Sequence, residues 1–207
     1  MAHRKVNALR QAWVINVLID SHCHLDFACF NHDREQVIHR CQKLGIELII
    51  IPGTQAEAWQ KQISLSENHQ QLRFALGIHP YFLKSFQASH LATLQSLLAN
   101  YSDEVVGVGE IGLDGVVDVD WSLQESVFNQ QLHIAIDQNL PVILHHRETH
   151  NQLIRILKRE KFTKGGIVHA FSGSLQQALT YVDLGFKIGV GGGITYPRAN
   201  KTREAIK

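Results

Sequence analysis

Seven times in series a run of strand type is followed by a segment of helical spacing, and this alternation limits the fold of the 207-residue chain more than any other feature. The run Val17-Leu18-Ile19 leads into Asp20. Further strands are expected over 46–51, 73–78, 105–109, 142–145, 167–169 and 186–190. Helices are expected over 33–44, 55–69, 89–99, 122–138, 149–159 and 175–184, with a last one beginning near Arg198. The first helix shows the logic: Val37, Ile38, Cys41 and Leu44 recur at helical spacing, and Gly45 stops them. Ile46 to Ile51 is an apolar run closed by Pro52-Gly53, as suits a strand buried on both faces.

Such a series gives a parallel sheet with helices outside, either an open doubly wound sheet or a closed barrel. The polar residues decide between them. An open sheet gathers its chemistry at one switch point, whereas a barrel gathers it at the C-terminal ends of many strands. Here His22 and His24, His79, Glu110, His145 and His169 each follow a different strand run, which describes a ring. The expected class is therefore α/β, a TIM-like (β/α) barrel with seven of eight strands present. Such barrels run to about 250 residues, so residues 17–207 read as a barrel domain lacking its last strand and helix. Residues 1–16 read as a short leader. Its Arg4, Lys5 and Arg10 precede an apolar stretch, but no small-residue cleavage site follows, which argues against a targeting segment.

Composition narrows the class of partner. A formal net charge of +1 gives no broad electrostatic surface for nucleic acid or membrane, so any polyanion has to be gripped locally. No run reaches the roughly 18 apolar residues of a membrane span, and no obligate protein partner is evident. Cys23, Cys29 and Cys41 form neither an even set nor a C-x-x-C, and reduced thiols suit a cytoplasmic protein. Cys23 lies between two histidines and should point away from them, as a buried, inert thiol.

His22 and His24 are two apart, so on a strand both imidazoles leave the same face. A single histidine is more often a hydrogen-bonded structural residue than a ligand. Recurrence after separate strands is what makes a site. Glu110 sits in Gly107-Val108-Gly109-Glu110-Ile111-Gly112-Leu113-Asp114, and a carboxylate at the inner end of a buried strand is costly without a cation or hydrogen bonds. The glycines allow close packing. They do not make a phosphate loop, because no Lys-Ser/Thr follows. Four of these five histidines with the one carboxylate already exceed the three protein ligands of a simple catalytic zinc, which points to two adjacent metals bridged by Glu110. Nitrogen and oxygen donors without thiolate suit zinc or manganese, with magnesium at an oxygen-rich position. A metal pair activates water and clamps an anionic transition state, so hydrolysis is the reaction class.

These residues carry a resemblance. Asp20-Ser21-His22-Cys23-His24-Leu25-Asp26, Gly77-Ile78-His79-Pro80, Gly109-Glu110-Ile111-Gly112-Leu113-Asp114, His145-His146-Arg147-Glu148 and His169-Ala170-Phe171-Ser172-Gly173 are similar to the ordered motifs of the TatD family of metal-dependent deoxyribonucleases. The resemblance implies His22 and His24 at one metal, Glu110 as the bridge, and His145 and His169 at the second. It selects His145 over His146 through the pattern His-x-Arg-Asp/Glu. It makes His79 a neighbour that contacts phosphate, and Arg147 a residue that neutralises phosphate or pairs with Glu148. Arg198, in Tyr196-Pro197-Arg198 with Lys201 and Arg203 nearby, lies beyond the seventh strand, where barrels often bind phosphate; a solvated helix start is the competing reading. DNA is the implied substrate. The family's final acidic ligand, in a Thr-Asp-Ala-Pro-like motif after an eighth strand, has no counterpart in this sequence. Two other readings stand beside the nuclease: a metal-binding fragment with little turnover, and hydrolysis of a small amide or ester by an amidohydrolase-like barrel. Against the second, many such barrels resemble one another in a carbamylated lysine on the fourth strand, where Glu110 stands here.

Overall fold

Residues 18–207 are described by the structure, a computed structural model. The leader expected over 1–16 lies outside the described residues. The elements alternate as β1 (Leu18–Asp20), α1 (Arg34–Lys43), β2 (Ile46–Ile51), α2 (Ala56–Asn68), β3 (Leu72–Leu76), α3 (Ala88–Asn100) and β4 (Val105–Asp114). They continue as α4 (Trp121–Asp137), β5 (Val142–Arg147), α5 (His150–Arg159), β6 (Gly166–Val168), α6 (Leu175–Asp183), β7 (Phe186–Ile188) and α7 (Asn200–Ala205). All seven strands pair in parallel with their sequence neighbours, in the order β1 to β7. The sheet curls into a TIM-like half-barrel with the helices around it. Its edge strands β1 and β7 line one cavity of ≈ 480 Å³ together with Ser21, Ile46, Gly189 and Val190.

Apolar side chains fill both faces of the sheet. The larger core joins Trp59, Phe74, Leu76, Val108, Ile111, Phe128, Leu132, Leu144, Ile156 and Tyr181 across β3 to β6 and the helices outside them. A smaller cluster of Leu25, Ile38, Ile49, Ile51 and Leu72 seats α1 against β2, with Cys23 and Cys41 packed on it. Each of these aliphatic side chains contributes roughly 1.5–3 kcal/mol through burial. The thiol of Cys23 is pushed up to about 11, chiefly by burial, so it stays protonated and inert, as its place between two histidines suggests.

β4 is the strand that differs most from the sequence-based expectation. It does not stop at Gly109 but runs to Asp114, with an extra residue in its pairing to β5: Gly109 lies opposite Ile143 and Ile111 opposite Leu144, leaving Glu110 without a partner. The bulge turns Glu110 inward. Beneath it the segment just after β2 meets β4: the Gly53 N–H donates to the Gly109 carbonyl at 2.8 Å, and the Glu110 N–H to the Gly53 carbonyl at 2.6 Å. A Cβ on Gly53 would lie 2.6 Å from the Gly77 nitrogen, and one on Gly109 would lie 2.6 Å from the Ile143 Cβ. The glycines are there for close approach.

Two buried glutamines on α4, two helical turns apart, clamp the loops that carry functional residues. Gln131 accepts from the Ile78 N–H at 2.7 Å and donates to the Ile78 carbonyl at 3.1 Å. Gln124 treats Asp114 in the same way, at 2.9 and 3.2 Å. Each amide thus satisfies both main-chain groups of a residue at a strand end, where the ladder no longer does so.

Candidate metal centre

His22 and His24 do not sit on a strand, which corrects the alternation argument made for them. β1 ends at Asp20 and both histidines belong to the loop beyond it. The loop is fixed by its own bonds: the Asp20 carboxylate accepts from the His22 N–H at 3.0 Å, and the Cys23 N–H donates to the Ile50 carbonyl at 3.0 Å. The rings still stand side by side, edge to face, with centroids 5.0 Å apart.

Glu110 is the centre of the arrangement, and its side chain is only 4% exposed. One carboxylate oxygen faces His22 Nε2 at 3.0 Å and His24 Nε2 at 4.0 Å. The other faces His145 Nδ1 at 3.3 Å and His79 Nε2 at 3.9 Å. Two sets of donors close enough to share a cation therefore meet on the two oxygens: His22, His24 and Glu110, then His79, Glu110 and His145. His169, which follows β6, enters neither set of three. It joins the centre through its ring, which lies flat on His22 with centroids 3.3 Å apart and planes 12° from parallel.

Electrostatics keep the carboxylate charged and most of the imidazoles neutral. Burial disfavours the charged form of Glu110, but hydrogen bonds from His145 and His22 outweigh it and hold the carboxyl well below its usual range. Burial, assisted by His22, lowers His24. Burial brings His79 and His169 each down to about 4. His145 behaves differently: burial opposes its charged form, yet Glu110 and Asp114 on its two sides raise it. A neutral imidazole offers a lone pair, which is what a divalent cation needs.

Asp114 went unassigned in the sequence, although it stands four residues beyond Glu110 on one strand, a spacing that shares a face. Its Oδ2 lies 3.0 Å from His145 Nε2, while Oδ1 accepts from the Val116 and Val117 N–H groups. The pair fixes the imidazole so that Nδ1 points toward Glu110. His146 points the other way, into a buried cluster with His150 and Phe171, so β5 itself separates the two neighbours.

The tautomer of His79 follows from its surroundings. Its Nδ1 accepts from the Tyr81 N–H at 3.0 Å, and with a pKa near 4 the neutral ring carries its proton on Nε2. Toward Glu110 it therefore presents a donor and not a lone pair. Arg147 is exposed and lines a cleft of ≈ 410 Å³ with Tyr81, Lys84, Asp114, Val116, Val117 and Asp118. Arg147 makes no ion pair with Glu148 among the described residues. Arg198 lies over the Tyr196 ring, 5.5 Å from its centroid, at a separate cavity of ≈ 170 Å³ bounded by Ala170, Ser172 and Thr202. Arg203 is spent on structure, donating to the Ile194, Tyr196 and Pro197 carbonyls.

Residues 19–207 match the family model described as TatD related DNase. The chain is 48% identical over 189 residues to "Uncharacterized metal-dependent hydrolase YjjV" of Escherichia coli strain K12, covering 91% of this chain and 73% of that protein. The crystal structure of YjjV superposes with a TM-score of 0.88 at 47% identity, covering 93% of this chain and 75% of that one. The "3'-5' ssDNA/RNA exonuclease TatD" of Erwinia amylovora is 33% identical over 193 residues, covering 91% of this chain and 74% of that protein. With a carboxylate shared by two sets of histidines at the mouth of a parallel half-barrel, and with matches along nearly the whole described chain, this protein is a metal-dependent hydrolase belonging to the TatD-related DNase family.

Proposed function

We propose that the chain hydrolyses phosphodiester bonds in DNA, using two divalent cations shared across Glu110. The observation that carries this is the division of labour at Glu110, each oxygen of which faces a different set of histidines. The donors fit such cations: all are imidazole nitrogen or carboxylate oxygen, and Nδ1 of His22 and of His24 is buried without a protein partner. His22 and His24 would hold one ion and His145 the second, to which the family resemblance also assigns His169, whose ring lies on His22. Zinc, manganese or magnesium held there supplies Lewis acidity toward the phosphoryl group.

The chain's own residues do the rest. Glu110 keeps a full negative charge between the two sets of histidines. Asp114 holds the His145 ring. His79, as an Nε2–H donor, offers a hydrogen bond to a phosphoryl oxygen, and Arg147 and Arg198 meet phosphates farther along the substrate. The names of the TatD exonucleases among the relatives favour a single strand, DNA or RNA. No helix among the described residues is long and apolar enough to cross a membrane. With three unpaired cysteines, that favours a cytoplasmic enzyme.

The test incubates purified chain with 3'-labelled single-stranded DNA, and separately with dihydropyrimidine and lactone substrates, each with added magnesium, manganese or zinc. Nucleotide release that disappears in His22→Ala is the expected result. Turnover of the small molecules alone, or metal uptake with no turnover, would overturn the proposal.

A further inference from the structure

Two exposed aromatic residues flank the metal centre, each joined to it through one histidine that faces a different oxygen of Glu110, Phe27 by its ring and Tyr81 by its main chain. Phe27 lies on His24 with ring centroids 4.5 Å apart and planes 17° from parallel, and His24 Nε2 is 4.0 Å from Oε2. Tyr81 donates its main-chain N–H to His79 Nδ1, its ring standing edge-on to Phe82 with centroids 5.1 Å apart, and His79 Nε2 is 3.9 Å from Oε1. Both rings are open to solvent, Phe27 at 40% and Tyr81 at 64% exposure.

Each ring also lines its own cleft. Phe27 shares one of ≈ 450 Å³ with Asp26, Thr54 and Lys61. Tyr81 shares the ≈ 410 Å³ cleft with Lys84 and Arg147. Exposed aromatic surface beside a catalytic mouth has a cost in water, and here it comes twice, once beside Lys61 and once beside Arg147, while Lys84 is paired with Asp118 at 2.8 Å. Because the whole chain carries a formal charge of only +1, a long-range field cannot supply affinity for a polyanion. Local contacts have to do so.

The geometry points to Phe27 and Tyr81 as base-stacking platforms for the nucleotides on either side of the bond being hydrolysed. This rests on the phosphodiesterase reading and adds to it the residues that select an unpaired strand. A phosphate over Glu110 leaves one neighbouring base at Phe27 and the other at Tyr81. In a duplex those base faces are covered by their neighbours and cannot reach the rings. Stacking uses the π-face that every base has, so the platforms favour single strands of any sequence and do not distinguish DNA from RNA.

The test measures binding by fluorescence anisotropy, with magnesium present, to a short phosphorothioate oligonucleotide that resists cleavage. An abasic strand of equal length and a blunt duplex serve as comparisons. Wild type should bind the base-bearing strand more tightly than either. Phe27→Ala and Tyr81→Ala should each weaken that binding by about five- to hundredfold, the range of one stacked base. Both should leave the abasic strand bound as in wild type, whereas Phe27→Tyr and Tyr81→Phe should restore tight binding. A merely structural role would weaken both strands alike. Equal affinity of wild type for abasic and base-bearing strands, or unchanged binding in both alanine variants, overturns the platforms. If wild type still cleaves ordinary single-stranded DNA in that case, the phosphodiesterase reading survives; if it neither binds nor cleaves, both fall.

Discussion

His145 is held from both sides: Asp114 Oδ2 lies 3.0 Å from its Nε2, and Glu110 Oε1 lies 3.3 Å from its Nδ1. A ring fixed at one nitrogen delivers the other in a single direction, and the residue that fixes it contributes to affinity without touching the cation. Asp114→Asn keeps an oxygen for the Val116 and Val117 N–H groups but can lose the acceptor for His145. Manganese or zinc affinity, measured by isothermal titration, is expected to fall by roughly 10- to 100-fold, with the melting temperature in chelator little changed.

Glu110→Gln removes the one charge that both sets of histidines share. Metal uptake should fall at both positions together, and hydrolysis should fall by more than the roughly 100-fold typical of an outer partner. Metal analysis of the dialysed variant against wild type checks this. Loss of one ion with retention of the other would show that the carboxylate does not bridge.

His79 stands within cation distance of Glu110, yet its tautomer aims a proton there. His79→Ala should therefore retain the wild-type metal content and lose activity, whereas His145→Ala should lose metal. The two variants, compared by metal stoichiometry and by kcat/KM, separate a substrate contact from a ligand.

Stability should depend on pH through the buried histidines outside the centre. Burial brings His146 down to about 3 and His150 to about 4, from 6.5. Between those values and 6.5 the unfolded chain binds more protons than the folded one. Their contribution is present in full above pH 6.5 and is lost as pH falls to about 4 for His150 and about 3 for His146, at ~1.4 kcal/mol per unit of separation for each group. Melting temperature in chelator should drop across that window. His150→Phe should flatten the slope, since it removes one of the two titrating rings while keeping an aromatic ring beside Phe171 and Tyr181.

Gln131→Ala would strand both main-chain groups of Ile78, the residue before His79. At about 1–3 kcal/mol for each unsatisfied group, urea unfolding should show a loss of several kcal/mol. Gln131→Glu, which sets a second oxygen against the Ile78 carbonyl in a buried place, should not recover that loss.

The alternation of strands and helices was legible because parallel strands buried on both faces read as short apolar runs, and six of the seven came within a few residues of their expected bounds. β4 was not, because Gly109-Glu110-Ile111-Gly112 interrupts the apolar pattern where the chain in fact continues through a bulge. Glu110, His22, His24 and His145 could be named as polar residues at the ends of apolar runs. Asp114 was hidden because its role is to touch another side chain, and Gln124 and Gln131 because an amide on a helix looks like solvent-facing surface until its partner is known. The histidine pair was found for the wrong reason, its rings being placed by a loop and not by strand alternation.

The unpaired residue in β4 reverses the strand's parity. Upstream of it the odd position 109 shares a face with Ile143, and downstream the even positions 112 and 114 share one with His145 and Arg147. Without that reversal Glu110 would fall in line with Leu144 and point into the oily layer under the helices. The acid and the histidines around it therefore coincide only because one residue breaks the count, so deletion of Ile111, which would seat Glu110 opposite Leu144 while Gly112 and Asp114 keep their places opposite His145 and Arg147, should empty the mouth of its charge.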